Sequence, residues 1–132
     1  MRYLIDTNIL IPYFADDAAT ISLLKRLTPD GISVSILSYL ELYQGVIESA
    51  NSEEARDQFD GFFSDMEVYS VSPAVARRCA EVRADLKKRG RNTRRRAFDL
   101  VIAATALEHG LELVTRNTKD YTDVTGLTLY PL

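Results

Sequence analysis

Short apolar, β-prone runs alternate along this chain with longer stretches of helical periodicity, and no other feature constrains the fold as much. Arg2-Tyr-Leu-Ile5, Ile32 to Ile36, Glu67 to Val71, Leu111 to Thr115 and a short Leu127 to Tyr130 read as strands. Between them lie helices with recognisable starts. Asp6-Thr7-Asn8 opens one that runs through Phe14, Asp16-Asp17 caps a second, and Ser38-x-x-Glu41 is a capping box for a third. Asn51-Ser-Glu-Glu54 opens a fourth helix, and Ser72-Pro73 a fifth with Val75, Cys79, Val82 and Leu86 on one buried stripe. Phe98-Asp99-Leu100 starts a sixth, which Gly110 closes. Strands separated by helices require βαβ crossovers, so the expected architecture is α/β: a mostly parallel sheet covered by helices on both faces.

At 132 residues, the chain is expected to form one domain over residues 1–132. Its 46% hydrophobic content is enough to build a core. No apolar run approaches the roughly 20 residues that span a bilayer, and no signal peptide is recognisable, so a cytoplasmic protein without a membrane partner is expected.

The residues that are scarce narrow the chemistry. One cysteine and one histidine exclude an internal disulfide, a Cys/His zinc cage and paired-histidine catalysis. Cys79 falls within a helical core stripe, and His109 sits where the negative end of a helix dipole favours it. Any catalysis must therefore come from carboxylates and hydroxyls, with or without a metal.

The net charge of −3 hides a segregation of charge along the chain. Eight acids and the single base Arg56 lie between Glu41 and Glu67, whereas seven bases and no acid lie between Lys87 and Arg96. A phosphate backbone responds to the local field rather than the mean. The basic run alone reads as a solvated loop.

Ligands of open parallel sheets bind beyond the carboxyl ends of the strands. Asp6 follows the first strand, Glu41 lies early in the helix after the second, and Asn117 and Asp120 follow the fourth. Asp99 opens the helix leading into that strand. Each has a structural explanation as a cap or first-turn charge, worth about 1 kcal/mol or less. Together they differ from caps: several carboxylates at one edge raise each other's pKa, a cost that capping does not require and a cation offsets. All-oxygen ligands suit Mg²⁺ or Mn²⁺. A third reading, phosphoryl transfer through an aspartyl nucleophile, wants a second acid two residues after Asp6, where Asn8 stands.

Leu4-Ile-Asp6-Thr-Asn8, Glu41-Leu, Phe98-Asp99-Leu-Val-Ile-Ala-Ala104 and Val114-Thr-Arg-Asn117-Thr-Lys-Asp120-Tyr121 together resemble the PIN-domain ribonucleases, most closely the VapC-type toxins of toxin–antitoxin pairs. The resemblance spans the chain and implies a Rossmann-like α/β/α sandwich with Mg²⁺-dependent endoribonuclease activity. Asp6, Glu41 and Asp99 correspond to the metal-holding acids and Asp120 to the fourth acidic place, with Thr7, Asn8, Thr115 and Asn117 in support. The resemblance also implies a homodimer, an antitoxin reaching into the acidic groove, and higher-order toxin–antitoxin assembly. Its alternative is a catalytically weak PIN-fold module that binds a partner or RNA. Where many relatives carry a Gly-Pro-Ile-like loop, this chain has Gly90-Arg-Asn-Thr-Arg-Arg-Arg-Ala97. Beside an acidic site, Arg94, Arg95, Arg96 and Arg116 are the cations expected to hold an RNA backbone.

Overall fold

The computed structural model describes all residues from Met1 to Leu132. Its order is β1 (Tyr3–Ile5), α1 (Thr7–Phe14), α2 (Ala18–Leu27), β2 (Ile32–Ser35), α3 (Ile36–Glu48), α4 (Ser52–Phe63), β3 (Glu67–Tyr69), α5 (Pro73–Lys88), α6 (Ala97–His109) and β4 (Glu112–Val114). The four strands pair in parallel in the order β3-β2-β1-β4. The α/β expectation therefore holds.

The strand order follows from how the crossovers are used. The chain steps outward from β1 to β2 to β3, then returns past β1 to add β4 on the far side. Successive crossovers keep one hand only if this reversal places the last helices on the opposite face. Two cores result. Tyr3, Ile5 and Val114 pack with Ile9, Leu24, Leu42 and Phe59 on one face. Leu4 and Leu113 pack with Val75, Cys79, Leu86 and Leu100 on the other. Alternation along β1, where all three residues are buried, sends neighbours to opposite layers. Ligand-binding crevices open where such a strand order reverses, which here is the carboxyl end of β1.

Several helix boundaries match local chemistry. Asp17, Asn51 and Ser72 cap α2, α4 and α5 through their side chains. Gly110 ends α6 in the left-handed region at φ 65°, a conformation a Cβ would penalise.

Two expectations need correction. Leu127 to Tyr130 is not a fifth strand: only Leu129 bridges to Leu113, through Leu113 N donating to Thr128 O and Tyr130 N to Leu113 O. Pro131 has no N–H to continue the ladder. Helix α3 begins at Ile36 rather than Ser38, because Ser35 at the end of β2 accepts from Leu37 N and caps it directly. Strand passes into helix with no loop, so Ser38 and Glu41 lie within the helix and the capping-box explanation of Glu41 fails.

Candidate active site at the carboxyl edge of the sheet

Asp6 is the first residue beyond β1 and is only 5% exposed. Its position is over-determined. Its backbone N–H donates to Val114 O, extending the β1–β4 ladder by one bond (2.9 Å). Its side chain caps α1, with Oδ1 accepting from Thr7 N at 2.8 Å. Oδ2 accepts from the Thr115 hydroxyl at 2.8 Å and from the Tyr121 hydroxyl at 3.1 Å.

Thr115, fully buried just after β4, links three segments. Its single proton goes to Asp6, while its oxygen accepts from Asn8 Nδ2 (3.0 Å) and Asn117 N (3.1 Å). Asn8 in turn accepts from Arg116 N at 3.1 Å. The hydroxyl is saturated, so the Asp6 carboxylate is held from behind.

Glu41 enters from α3. The Thr7 hydroxyl donates to Glu41 Oε1 at 3.2 Å and lies 2.9 Å from the buried Ser38 hydroxyl. The Glu41 carboxyl sits above its ordinary value, first through burial and then through the charges of Asp6 and Asp99, with Thr7 opposing. Asp99, the third residue of α6, is raised in the same way, by burial first and Asp6 second. The Tyr121 hydrogen bond and the Arg96 charge oppose that shift, while Asp120 adds to it. The structure thus brings Asp6, Glu41 and Asp99 within one another's fields.

Asp120 is exposed and reaches the group through its charge on Asp99. Asn117 joins through its backbone N–H on Thr115. The basic segment divides. Arg94 and Arg95 are exposed on a 3₁₀ turn, whereas Arg96 turns inward to Asp123 and donates from Nη2 to Asp120 O at 2.6 Å. Arg116 donates from Nη2 to the Thr20 hydroxyl at 2.7 Å and lies 3.8 Å from Asp17.

Two contributors had no clear signal in the sequence. Ser38 looked like a cap. Tyr121, only 1% exposed, closes the Val114–Tyr121 motif in the sequence with nothing there to assign it a role.

No three of the chain's His, Cys, Asp and Glu side chains close into a ready-made cage for an ion. The donor set is instead open and all-oxygen, with two carboxyls raised first by burial and then by neighbouring acid charge. Those properties fit a hard divalent cation that keeps several waters and takes few protein ligands.

The PIN-domain family model matches residues 3–126, so the chain belongs to the PIN-domain family. Among curated proteins, it is 30% identical over 127 residues to the tRNA(fMet)-specific endonuclease VapC of Shigella flexneri, covering 96% of this chain and 95% of that one. Among solved structures it resembles VapBC2 from Rickettsia felis bound to a promoter DNA fragment, with a TM-score of 0.85, 27% identity and 98% coverage of both chains. DNA-bound VapBC from Salmonella typhimurium superposes with a TM-score of 0.86 at 25% identity, covering 98% of this chain and 97% of that one.

Proposed function

We infer that this protein is a divalent-metal-dependent endoribonuclease acting as the toxin of a toxin–antitoxin pair. The observation that carries this reading is the mutual charge of Asp6, Glu41 and Asp99 where the strand order reverses. Burial raises the Glu41 and Asp99 carboxyls first, the neighbouring acids raise them further, and no ion pair relieves them, an arrangement that suits a cation.

Asp6, Glu41 and Asp99 would hold the ion, with Asp120 at the fourth place; Mg²⁺ is the expected occupant, and Mn²⁺ suits the same oxygens. When bound, it supplies Lewis-acid activation of water and neutralises charge on a phosphodiester. The chain's own residues do the rest. Thr7, Asn8 and Thr115 fix the orientation of Glu41 and Asp6, and the exposed Arg94 and Arg95 offer countercharge to the backbone of RNA.

A groove of about 500 Å³ runs from Glu41 along Ile11, Phe14, Leu42, Val46 and Phe59. Its apolar lining, with the carboxylates Glu41 and Glu54 beside it, suits an antitoxin segment that carries an arginine. Relatives solved as VapBC complexes support such a partner, and a homodimer within a larger assembly accords with it. No helix is long and apolar enough to cross a membrane, which accords with action on RNA in the cytoplasm.

The test is cleavage of RNA, initiator tRNA included, by the purified protein. Cutting is expected with Mg²⁺, and none with EDTA or in Asp6→Asn. Expression should arrest growth with the wild type and spare it with Asp99→Asn. Cutting that persists in EDTA would overturn the metal-dependent reading.

A further inference from the structure

The geometry points to Tyr121 as a positioning residue that joins Asp6 of β1's edge to Asp99 of α6 through one phenolic hydroxyl, setting how the two carboxylates face a cation. The inference rests on the metal-site reading above and deepens it. Tyr121 Oη lies 3.1 Å from Asp6 Oδ2 and 3.3 Å from Asp99 Oδ1. These acids belong to elements on opposite sides of the strand-order reversal, and the hydroxyl, whose single proton the two facing carboxylate oxygens share, is the one group of the chain within hydrogen-bond distance of both.

The hydroxyl approaches each carboxylate by one oxygen only. Asp6 Oδ2 accepts from the Thr115 hydroxyl and faces the Tyr121 hydroxyl, whose one proton it shares with Asp99 Oδ1, and Asp6 Oδ1 accepts one bond, from Thr7 N. Asp99 takes its only hydrogen bond at Oδ1. Asp99 Oδ2 and one lone pair of Asp6 Oδ1 are thereby left for a ligand. Partners behind metal-binding carboxylates act in this way, fixing ring or carboxyl orientation so that the free lone pairs converge.

The segment carrying Tyr121 is itself held in place. Arg96 grips Asp123 and the Asp120 carbonyl, and Arg89 Nη2 donates to Asp123 O at 2.5 Å. The ring is packed in the core with Val124 and Leu100. A phenol confined in this way cannot turn away from the two acids, so its hydroxyl acts as a fixed spacer between them.

The test compares wild type with Tyr121→Phe, which keeps the ring and removes the hydroxyl. Mn²⁺ binding is measured by calorimetry and by the paramagnetic resonance signal of free Mn²⁺, with kcat and KM for RNA at saturating and limiting metal. The Mn²⁺ dissociation constant is expected to rise on the order of tenfold. The loss of kcat should appear at limiting metal and recover at saturating metal, with KM for RNA unchanged. A purely structural role for the hydroxyl would lower the melting temperature and leave Mn²⁺ affinity within twofold, and that result overturns the proposal. If the variant does not fold, the wild type still decides. With Cζ-labelled tyrosine, Mg²⁺ should shift one of the seven tyrosine resonances, and a spectrum in which none moves overturns the proposal. Failure of wild type to bind Mn²⁺ at all would instead sink the metal-site reading beneath it.

Discussion

Arg96 holds Asp123 by both carboxylate oxygens, Nη1 to Oδ2 at 2.9 Å and Nη2 to Oδ1 at 2.7 Å, with the two side chains 17% and 16% exposed. The pairing keeps the Asp123 carboxyl below its ordinary value, with the Arg96 hydrogen bonds as the main cause. A planar fork meeting a carboxylate with little surrounding water is the strong form of a charge-assisted bond. Arg96→Ala should therefore cost about 1.5–3 kcal/mol of stability, read by denaturant unfolding. A loss below 0.5 kcal/mol would class the pair with exposed surface bridges.

Asn8 should matter through Thr115 rather than by touching substrate. Asn8→Ala removes the donor that orients the Thr115 hydroxyl and the acceptor for Arg116 N. The expected result is about 0.5–1.5 kcal/mol of lost stability from the lost hydrogen bonds, together with weaker Mn²⁺ binding through a looser Asp6. Thr115→Val should reproduce the second effect, since it removes the proton that Asp6 Oδ2 accepts. Unaltered Mn²⁺ affinity in both variants would show that the chain Asn8–Thr115–Asp6 does not govern the site.

The metal-free protein should show an unusual pH dependence. Glu41 and Asp99 have raised values in the folded state, so the folded form takes up protons there before the unfolded chain does. Stability in EDTA should then rise as pH falls from neutral toward the ordinary carboxyl values of 4.5 and 3.8. Asp17, Asp85 and Asp123 are shifted the other way, so their contributions are present above 3.8 and disappear as pH falls through their lowered values. Asp99→Asn should accordingly raise the melting temperature in EDTA at neutral pH, by an amount on the order of 3 °C. Added Mg²⁺ should stabilise wild type and not the variant. A flat pH profile in EDTA would mean that burial and neighbouring charge do not raise the Glu41 and Asp99 carboxyls.

The order of elements was legible because burial imposes periodicity: Val75, Cys79, Val82 and Leu86 are spaced as a helix stripe and all four are buried. The convergence of Asp6, Glu41 and Asp99 was legible for a topological reason, since parallel strands deliver their ends to one edge. What failed was local. Ser35 and Ser38 are chemically equivalent caps, and which one starts α3 depends on where β2 leaves the sheet, a tertiary fact. Tyr121 stands at the end of the Val114–Tyr121 motif without a role, because the two carboxylates that face its hydroxyl are 115 and 22 positions away. Arg96 could not be told from Arg94 and Arg95 because its partner, Asp123, is 27 residues distant.

That division among the arginines yields a contrast in salt dependence. Arg94 and Arg95 are exposed and form no ion pair within the chain, whereas Arg96 is engaged with Asp123. Each cation that neutralises a phosphate of single-stranded RNA contributes about 0.7 to the slope of log affinity against log salt. Removing both Arg94 and Arg95 as Ala should flatten that slope by about 1.4, with stability nearly unchanged. Arg96→Ala should act in the opposite sense, lowering stability with little change in slope for the protein that remains folded. Titrations of a non-cleaved RNA at several salt concentrations, run in EDTA, separate the two effects. Equal slopes for wild type and the Arg94/Arg95 double variant would return the exposed pair to an ordinary solvated turn.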